Sequence, residues 1–200
     1  MGIKETDARW EKKLGIQTGA ANHEKDDANH SRYEPTPYAV LERLSGSGHI
    51  GKNDVLVDYG CGKGRVGFYM SYATGCRSVG VEYDARLCQA AEANIAAYSG
   101  RRENMAFVCE NAEVFCPDGA NIFYFFNPFS VKILTSVLGR IYESYYTDPR
   151  PMKLLFYYAL DDYLSYLMTE DMLEYAGATD CRDLFEGKDE KEKIHIFTIG

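Results

Sequence analysis

The stretch Val55-Leu56-Val57-Asp58-Tyr59-Gly60-Cys61-Gly62-Lys63-Gly64-Arg65 holds the residues best suited to binding a ligand. An apolar run ends at an aspartate, and glycines then occupy every second position before a helical segment begins. Glycine is needed where the backbone takes positive φ or where a ligand lies directly on the chain. A glycine turn between strand and helix, at the carboxyl edge of a parallel sheet, is where such sheets bind ligands. The dinucleotide fingerprint G-x-G-x-x-G would need glycine at position 65, where this chain has Arg65. The next apolar run ends at Glu82, where a carboxylate accepts hydrogen bonds from both hydroxyls of a ribose. An unphosphorylated sugar is therefore expected beyond the second strand. Each residue also has a plain structural use, the glycines as a tight turn and Glu82 as a negative charge at a helix start.

A second candidate is Ile122-Phe123-Tyr124-Phe125-Phe126-Asn127-Pro128-Phe129-Ser130. Its apolar run stops at an amide pinned before a proline. An Asn-Pro turn with Phe129 in the core would explain it structurally. A side-chain amide there could also grip a substrate. Ahead of both stretches, Thr36 suits a helix N-cap and Pro37 the first helical turn, with Val40, Leu41 and Leu44 as an apolar face. The amides exposed at such a helix start suit an anion. Tyr33 and Tyr38 are candidate aromatics near the mouth, and His30 lies just before them. His23, His49 and His195 form no cluster, so neither a metal nor a histidine base is expected.

The elements that must carry these residues alternate between strand and helix from Asp54 onward, the pattern of a parallel sheet covered by helices. Strands are expected at Val55–Asp58, Ser78–Glu82, Ala106–Glu110, Ile122–Phe126 and Lys153–Tyr158. Helices are expected at Lys63–Tyr72, Ala85–Tyr98, Val131–Tyr145 and Asp161–Met168, with a short helix or turn over Ala112–Cys116. The Asp148-Pro149-Arg150-Pro151 stretch stops the third of these helices. Leu173–Thr179 and Ile194–Ile199 flank a charged stretch and predict a hairpin, so the last strand runs antiparallel. The fold class is thus α/β, a Rossmann-like seven-stranded sheet with helices on both faces and an antiparallel last strand. Residues 1–32 are polar and weakly periodic and are expected to form a flexible N-terminal arm ahead of a domain over 33–200.

The D-x-G-x-G-x-G turn with its spaced acid resembles the class I S-adenosylmethionine-dependent methyltransferases, over roughly residues 33–200. The resemblance implies S-adenosyl-L-methionine as cofactor. It implies that Gly60, Cys61, Gly62 and Gly64 form the floor under the methionine and ribose, that Asp58 holds the amino end, and that Glu82 takes the ribose hydroxyls. Asn111, followed by Ala112, stands where the family usually has an aspartate reading the adenine amine, and its amide oxygen can accept the same bond. Thr36-Pro37 resembles an element of adenine amino-methyltransferases that closes over the cofactor carboxylate. Asn127-Pro128-Phe129 resembles their [DN]-P-P-[YF] element, with one proline instead of two. There the asparagine oxygen and a neighbouring carbonyl accept from the target NH2 while the aromatic ring stacks on the substrate. Nucleosomal lysine methyltransferases also carry an asparagine-aromatic pair at this place. The resemblance therefore implies N-methylation of a planar or protein amine, the acceptor being a nucleic-acid base, a small molecule or a protein side chain.

A net charge of −8 argues against binding by broad phosphate neutralisation, which needs a clustered basic face. Six cysteines without a CxxC pair support neither zinc nor a disulfide framework, and reduced thiols in a cytoplasm are expected. No apolar run approaches the roughly 18 residues of a membrane span, and the N-terminal residues are charged where a signal peptide is apolar. Met1-Gly2-Ile3-Lys4-Glu5-Thr6 has the form read by N-myristoylation, without a polybasic partner. Besides the methyltransferase, two readings stay open. One is a non-catalytic S-adenosylmethionine- or nucleotide-binding module. The other is an NAD-dependent oxidoreductase, disfavoured by Arg65 and by the lack of a Tyr-x-x-x-Lys element.

Overall fold

The computed structural model describes residues 2–19 and 33–200. Seven strands, β1 (Val55–Tyr59), β2 (Arg77–Glu82), β3 (Met105–Cys109), β4 (Ile122–Phe125), β5 (Met152–Tyr157), β6 (Glu174–Asp180) and β7 (Lys193–Ile199), form one sheet. Their order is β3-β2-β1-β4-β5-β7-β6. The first five pair in parallel, and β7 is antiparallel to both neighbours. Every expected strand is present with its ends shifted by at most one residue, and the central strands β1, β4 and β5, buried on both faces, read as nearly unbroken apolar runs.

Side chains alternate strictly between the two faces. Leu56, Ile122, Tyr124, Leu155 and Tyr157 enter one core, and Val57, Tyr59, Phe123, Phe125, Leu154 and Phe156 the other. On the second face Tyr59, Phe125 and Phe156 sit in register across β1, β4 and β5. Their rings stack at 5.1 and 4.5 Å, each pair contributing about 0.5–1.5 kcal/mol beyond burial. Helices α5 (Val131–Thr147) and α6 (Asp161–Leu167) cover this face. Helices α2 (Tyr38–Gly46), α3 (Arg65–Thr74) and α4 (Ala85–Ala97) belong to the other.

Three expectations need correction. Residues expected in a flexible arm include α1 (Ile3–Leu14), whose Trp10 packs among Tyr38, Tyr69 and Tyr72 and donates to Glu42 at 2.7 Å. The helix was hard to read because its inward stripe is thin, buried Thr6 and Leu14 with half-buried Trp10 between them at every fourth position among charges. Gly15 (φ 73°) ends it where an added Cβ would lie 2.6 Å from the Ala97 carbonyl, so α1 abuts the end of α4. Next, Thr36 does not cap α2. Pro37 is the N-cap residue, and the Thr36 hydroxyl faces inward to Tyr124. Finally, Cys88 and Cys109 form a disulfide between α4 and β3, their Cα atoms 5.8 Å apart. The sequence offered no spacing cue, since the pairing depends on α4 folding back beside β3. The expected short element at Ala112–Cys116 is a turn. His23 and His30 lie outside the described residues. No helix among the described residues is long and apolar enough to cross a membrane.

Candidate active site

The carboxyl ends of β1 to β4 open into one cleft, with about 1220 Å³ of empty space partly open to solvent. Asp58 ends on the face shared with Tyr124, and the chain then turns through Gly60, Gly62 and Gly64 at φ 71°, 54° and 88°. Positive φ at three alternate positions explains the glycines directly. The Gly60 and Cys61 amides bond the Val81 carbonyl at 2.9 and 3.1 Å, tying the turn to β2. No side chain fits at Gly60, where a Cβ would stand 2.4 Å from that of Pro128, nor at Gly62, where it would lie 2.1 Å from the Tyr33 ring.

Glu82 organises the middle of the cleft. Its Oε2 accepts from the Gly62 amide at 3.0 Å, and its Oε1 from the Tyr83 and Asp84 amides at 2.9 Å each. One carboxylate thereby fixes both the glycine turn and the start of α4, and Oε2, which accepts a single amide, keeps acceptor capacity. Burial pushes its pKa up, opposed by those three amides. Asp58 is only 3 % exposed, and its Oδ2 has no hydrogen-bond partner among the described residues. Burial first, and the Glu82 charge second, push its pKa well above the carboxylate range. A buried acceptor without a donor is costly, and a cationic or N–H-bearing ligand would remove that cost.

Of the residues expected in the site, Thr36, Asp58, Gly60, Cys61, Glu82, Asn111, Ala112, Pro128 and Phe129 line the cleft. Gly62 and Gly64 shape the turn from behind, and Pro37 starts α2. The Asn111 side-chain Oδ1 accepts the Glu113 amide at 3.0 Å, which sets the turn after β3. Thr36 and Tyr124 share a hydroxyl contact of 3.0 Å.

The Asn127-Pro128-Phe129 element departs most from expectation. Asn127 does not line the cleft. Its Nδ2 donates to the Tyr158 carbonyl at 2.7 Å, and its Oδ1 receives the Leu160 amide at 3.4 Å. Phe129 is 6 % exposed, packs edge-on to Phe125 and accepts the Tyr163 hydroxyl on its carbonyl, so its ring serves the core. The aromatic side chain presented at this end is Phe126, half-buried against Tyr157 at 4.8 Å. Strand alternation from Tyr124 would have found it.

Sequence reading also missed Glu34, Tyr83, Asp84 and Arg65 in the lining. Arg65 was visible as a break in the dinucleotide fingerprint, a signal about its position with no hint of its partners.

No protein-family model matches the sequence, and no curated protein does. Solved structures do resemble the fold. An RNA methyltransferase from Salinibacter ruber, in complex with S-adenosyl-L-homocysteine, superposes with a TM-score of 0.55 at 20% identity over 83% of this chain and 94% of that one. A TehB-like SAM-dependent methyltransferase from Corynebacterium glutamicum gives 0.55 at 19% identity over 80% and 88%. An rRNA methylase from Streptococcus thermophilus gives 0.54 at 8% identity over 80% and 93%. The fold is that of the class I S-adenosylmethionine-dependent methyltransferases.

Proposed function

We propose that the chain is an S-adenosylmethionine-dependent methyltransferase that transfers a methyl group to an amine. The observation that carries the cofactor reading is the convergence of the glycine turn, Glu82 and the unpartnered Asp58 Oδ2 on one cleft. Glu82 Oε2 keeps a free lone pair for a ribose hydroxyl. Asp58, buried and without a donor, suits the ammonium of an amino acid. Gly60 brings bare backbone to the ligand, and Asn111-Ala112 flank the adenine end. The cofactor supplies an electrophilic methyl group on a cationic sulfur.

Tyr124, Phe126 and Pro128 line the β4 end, where the acceptor would enter beside Glu34. Methyl transfer to an amine needs a neutral nitrogen in line with the methyl carbon, and the nitrogen then loses a proton to solvent. The chain's part is orientation and exclusion of water. The role that the resemblance gives Asn127, holding the target NH2, requires its amide to leave Tyr158 and Leu160. As placed, it sets the acceptor wall instead. A planar base, a small molecule and a protein side chain all remain within the proposal.

The test is calorimetry with S-adenosylhomocysteine and with NADH, followed by transfer of labelled methyl from S-adenosylmethionine to RNA, basic protein and nucleoside amines. Heat with S-adenosylhomocysteine alone and label stable on nitrogen are expected. Heat with NADH alone would replace the reading by an oxidoreductase, and cofactor binding with no transfer to any amine would leave a binding module.

A further inference from the structure

Arg65 is the first residue of α3 and 3 % exposed, although a cation at a helix N-terminus opposes the dipole. Its partners explain its presence. Nη1 donates to Asp7 Oδ2 at 2.9 Å and to the Thr36 carbonyl at 3.2 Å. Nε donates to Thr18 Oγ1 at 2.7 Å, and Nη2 lies 3.5 Å from Glu11 Oε1. The guanidinium sits 4.6 Å over the Tyr38 ring, and Glu11 also takes the Tyr38 hydroxyl at 2.9 Å. An ionised group this deep persists only when its donors are satisfied, so α1, Thr18 and the 33–36 segment are held to the glycine turn through one side chain.

The consequence falls on one end of the cleft. Tyr33, Glu34, Pro35 and Thr36 form a wall, fixed by Arg65 at the Thr36 carbonyl, by Tyr124 at the Thr36 hydroxyl and by Tyr33 Oη donating to the Thr18 carbonyl at 2.6 Å. Tyr124 is on β4, whereas Glu82 and Asn111 stand at the ends of β2 and β3, across the sheet. Thr36 therefore stands on the Tyr124 side of the cleft, away from Glu82 and Asn111, whereas the Tyr33 ring lies against Gly62.

We infer that Arg65 is a positioning residue for the amino-acid half of the cofactor, acting through Thr36, and that α1 belongs to the binding site because Asp7 and Glu11 hold Arg65 in place. This rests on the cofactor reading above. It assigns a task to residues outside the glycine turn and to a helix that the sequence left as an arm.

The test compares two ligands on the full chain by calorimetry, S-adenosylhomocysteine and 5′-methylthioadenosine, which lacks the amino-acid part. Arg65→Gln should weaken S-adenosylhomocysteine about tenfold and leave 5′-methylthioadenosine within about twofold, with Arg65→Lys intermediate. Because Arg65→Gln can also fail to fold, the Asp7→Asn/Glu11→Gln double variant is measured beside it and should show the same split. An equal loss for both ligands would mean a merely structural role and overturn the inference. So would unchanged S-adenosylhomocysteine affinity in the double variant. A wild-type chain that gives no heat with either ligand sinks the cofactor reading itself and this inference with it.

Discussion

Asn127 and Tyr158, both non-glycine residues in the positive-φ region at 41° and 51°, are joined by a 2.7 Å hydrogen bond from Asn127 Nδ2 to the Tyr158 carbonyl. They stand just past the ends of β4 and β5, so the bond clamps together the turns that follow these two strands. Tyr158 is held further by its own amide, 3.0 Å from the Lys193 carbonyl, and by its hydroxyl, 2.7 Å from Asp189. That carboxylate pushes the phenol up to about 12. Strained backbone of this kind persists only where its surroundings over-determine it.

The clamp predicts a difference between two substitutions. Asn127→Ala loses the hydrogen bond and the side chain that tolerates left-handed backbone, roughly 1 kcal/mol from each source. Asn127→Gly loses only the bond, so urea denaturation should find it the milder change. S-adenosylhomocysteine affinity should hold in both, since Asn127 does not line the cleft. A glycine variant as unstable as the alanine one would remove backbone strain from the account.

Gly62→Ala should disturb Tyr33 specifically. The added Cβ would sit 2.1 Å from the ring at φ 54°, so the ring must move and the backbone pays about 1–2 kcal/mol. A double-mutant cycle with Tyr33→Ala separates these, because removing the ring relieves the clash and leaves the backbone cost. Coupling of about 1 kcal/mol between the two sites is expected from chemical denaturation. Strict additivity would show that the ring does not rest on the turn.

The strands, the antiparallel β7, the glycine turn and Glu82 were legible because each follows from local pattern: doubly buried apolar runs, alternate glycines, an acid at a strand end. What the sequence hid is whatever depends on chain segments distant in sequence meeting in space. Arg65 reads as a deviation until Asp7 and Glu11 arrive from α1. Asn127 reads as a substrate grip until Tyr158 arrives from the end of β5. Phe129 reads as a stacking platform, yet the turn after Asn127 sends it into the core and leaves Phe126 at the opening.

The Cys88–Cys109 bond closes a loop of 21 residues. Its two ends adjoin the site: Cys88 lies in the first turn of α4, just after the Tyr83 and Asp84 amides that Glu82 holds, and Cys109 precedes Glu110-Asn111. A disulfide closing a loop of this length stabilises by about 3 kcal/mol on the chain-entropy account, or roughly 6–12 °C in Tm for a chain of this size. Thermal unfolding should fall by that amount in reductant, and Cys88→Ser should abolish the dependence. Equal Tm with and without reductant, with free thiols counted in both, would mean the pair stays reduced in solution.

Asp58 gives the sharpest dependence on pH. Its folded pKa lies above the unfolded value of 3.8, through burial and then the Glu82 charge. The folded chain thus holds this proton more tightly than the unfolded one, so stability from this group is greatest below about pH 4 and erodes as pH rises toward the folded pKa. Glu82 shifts in the same direction. Asp58→Asn removes the buried ionisable group and should stabilise the free protein near neutral pH by ~1–3 kcal/mol, with no gain near pH 4. Urea denaturation at several pH values reads both arms. The same residue should lose function as it gains stability, since a cationic ligand favours the ionised carboxylate. Binding of S-adenosylmethionine should then release protons, measured as a difference in heat between buffers of unlike ionisation enthalpy, and Asp58→Asn should abolish the release. A variant less stable than wild type at neutral pH would mean that the carboxylate has a partner outweighing its burial, and the ligand would not be needed to explain it.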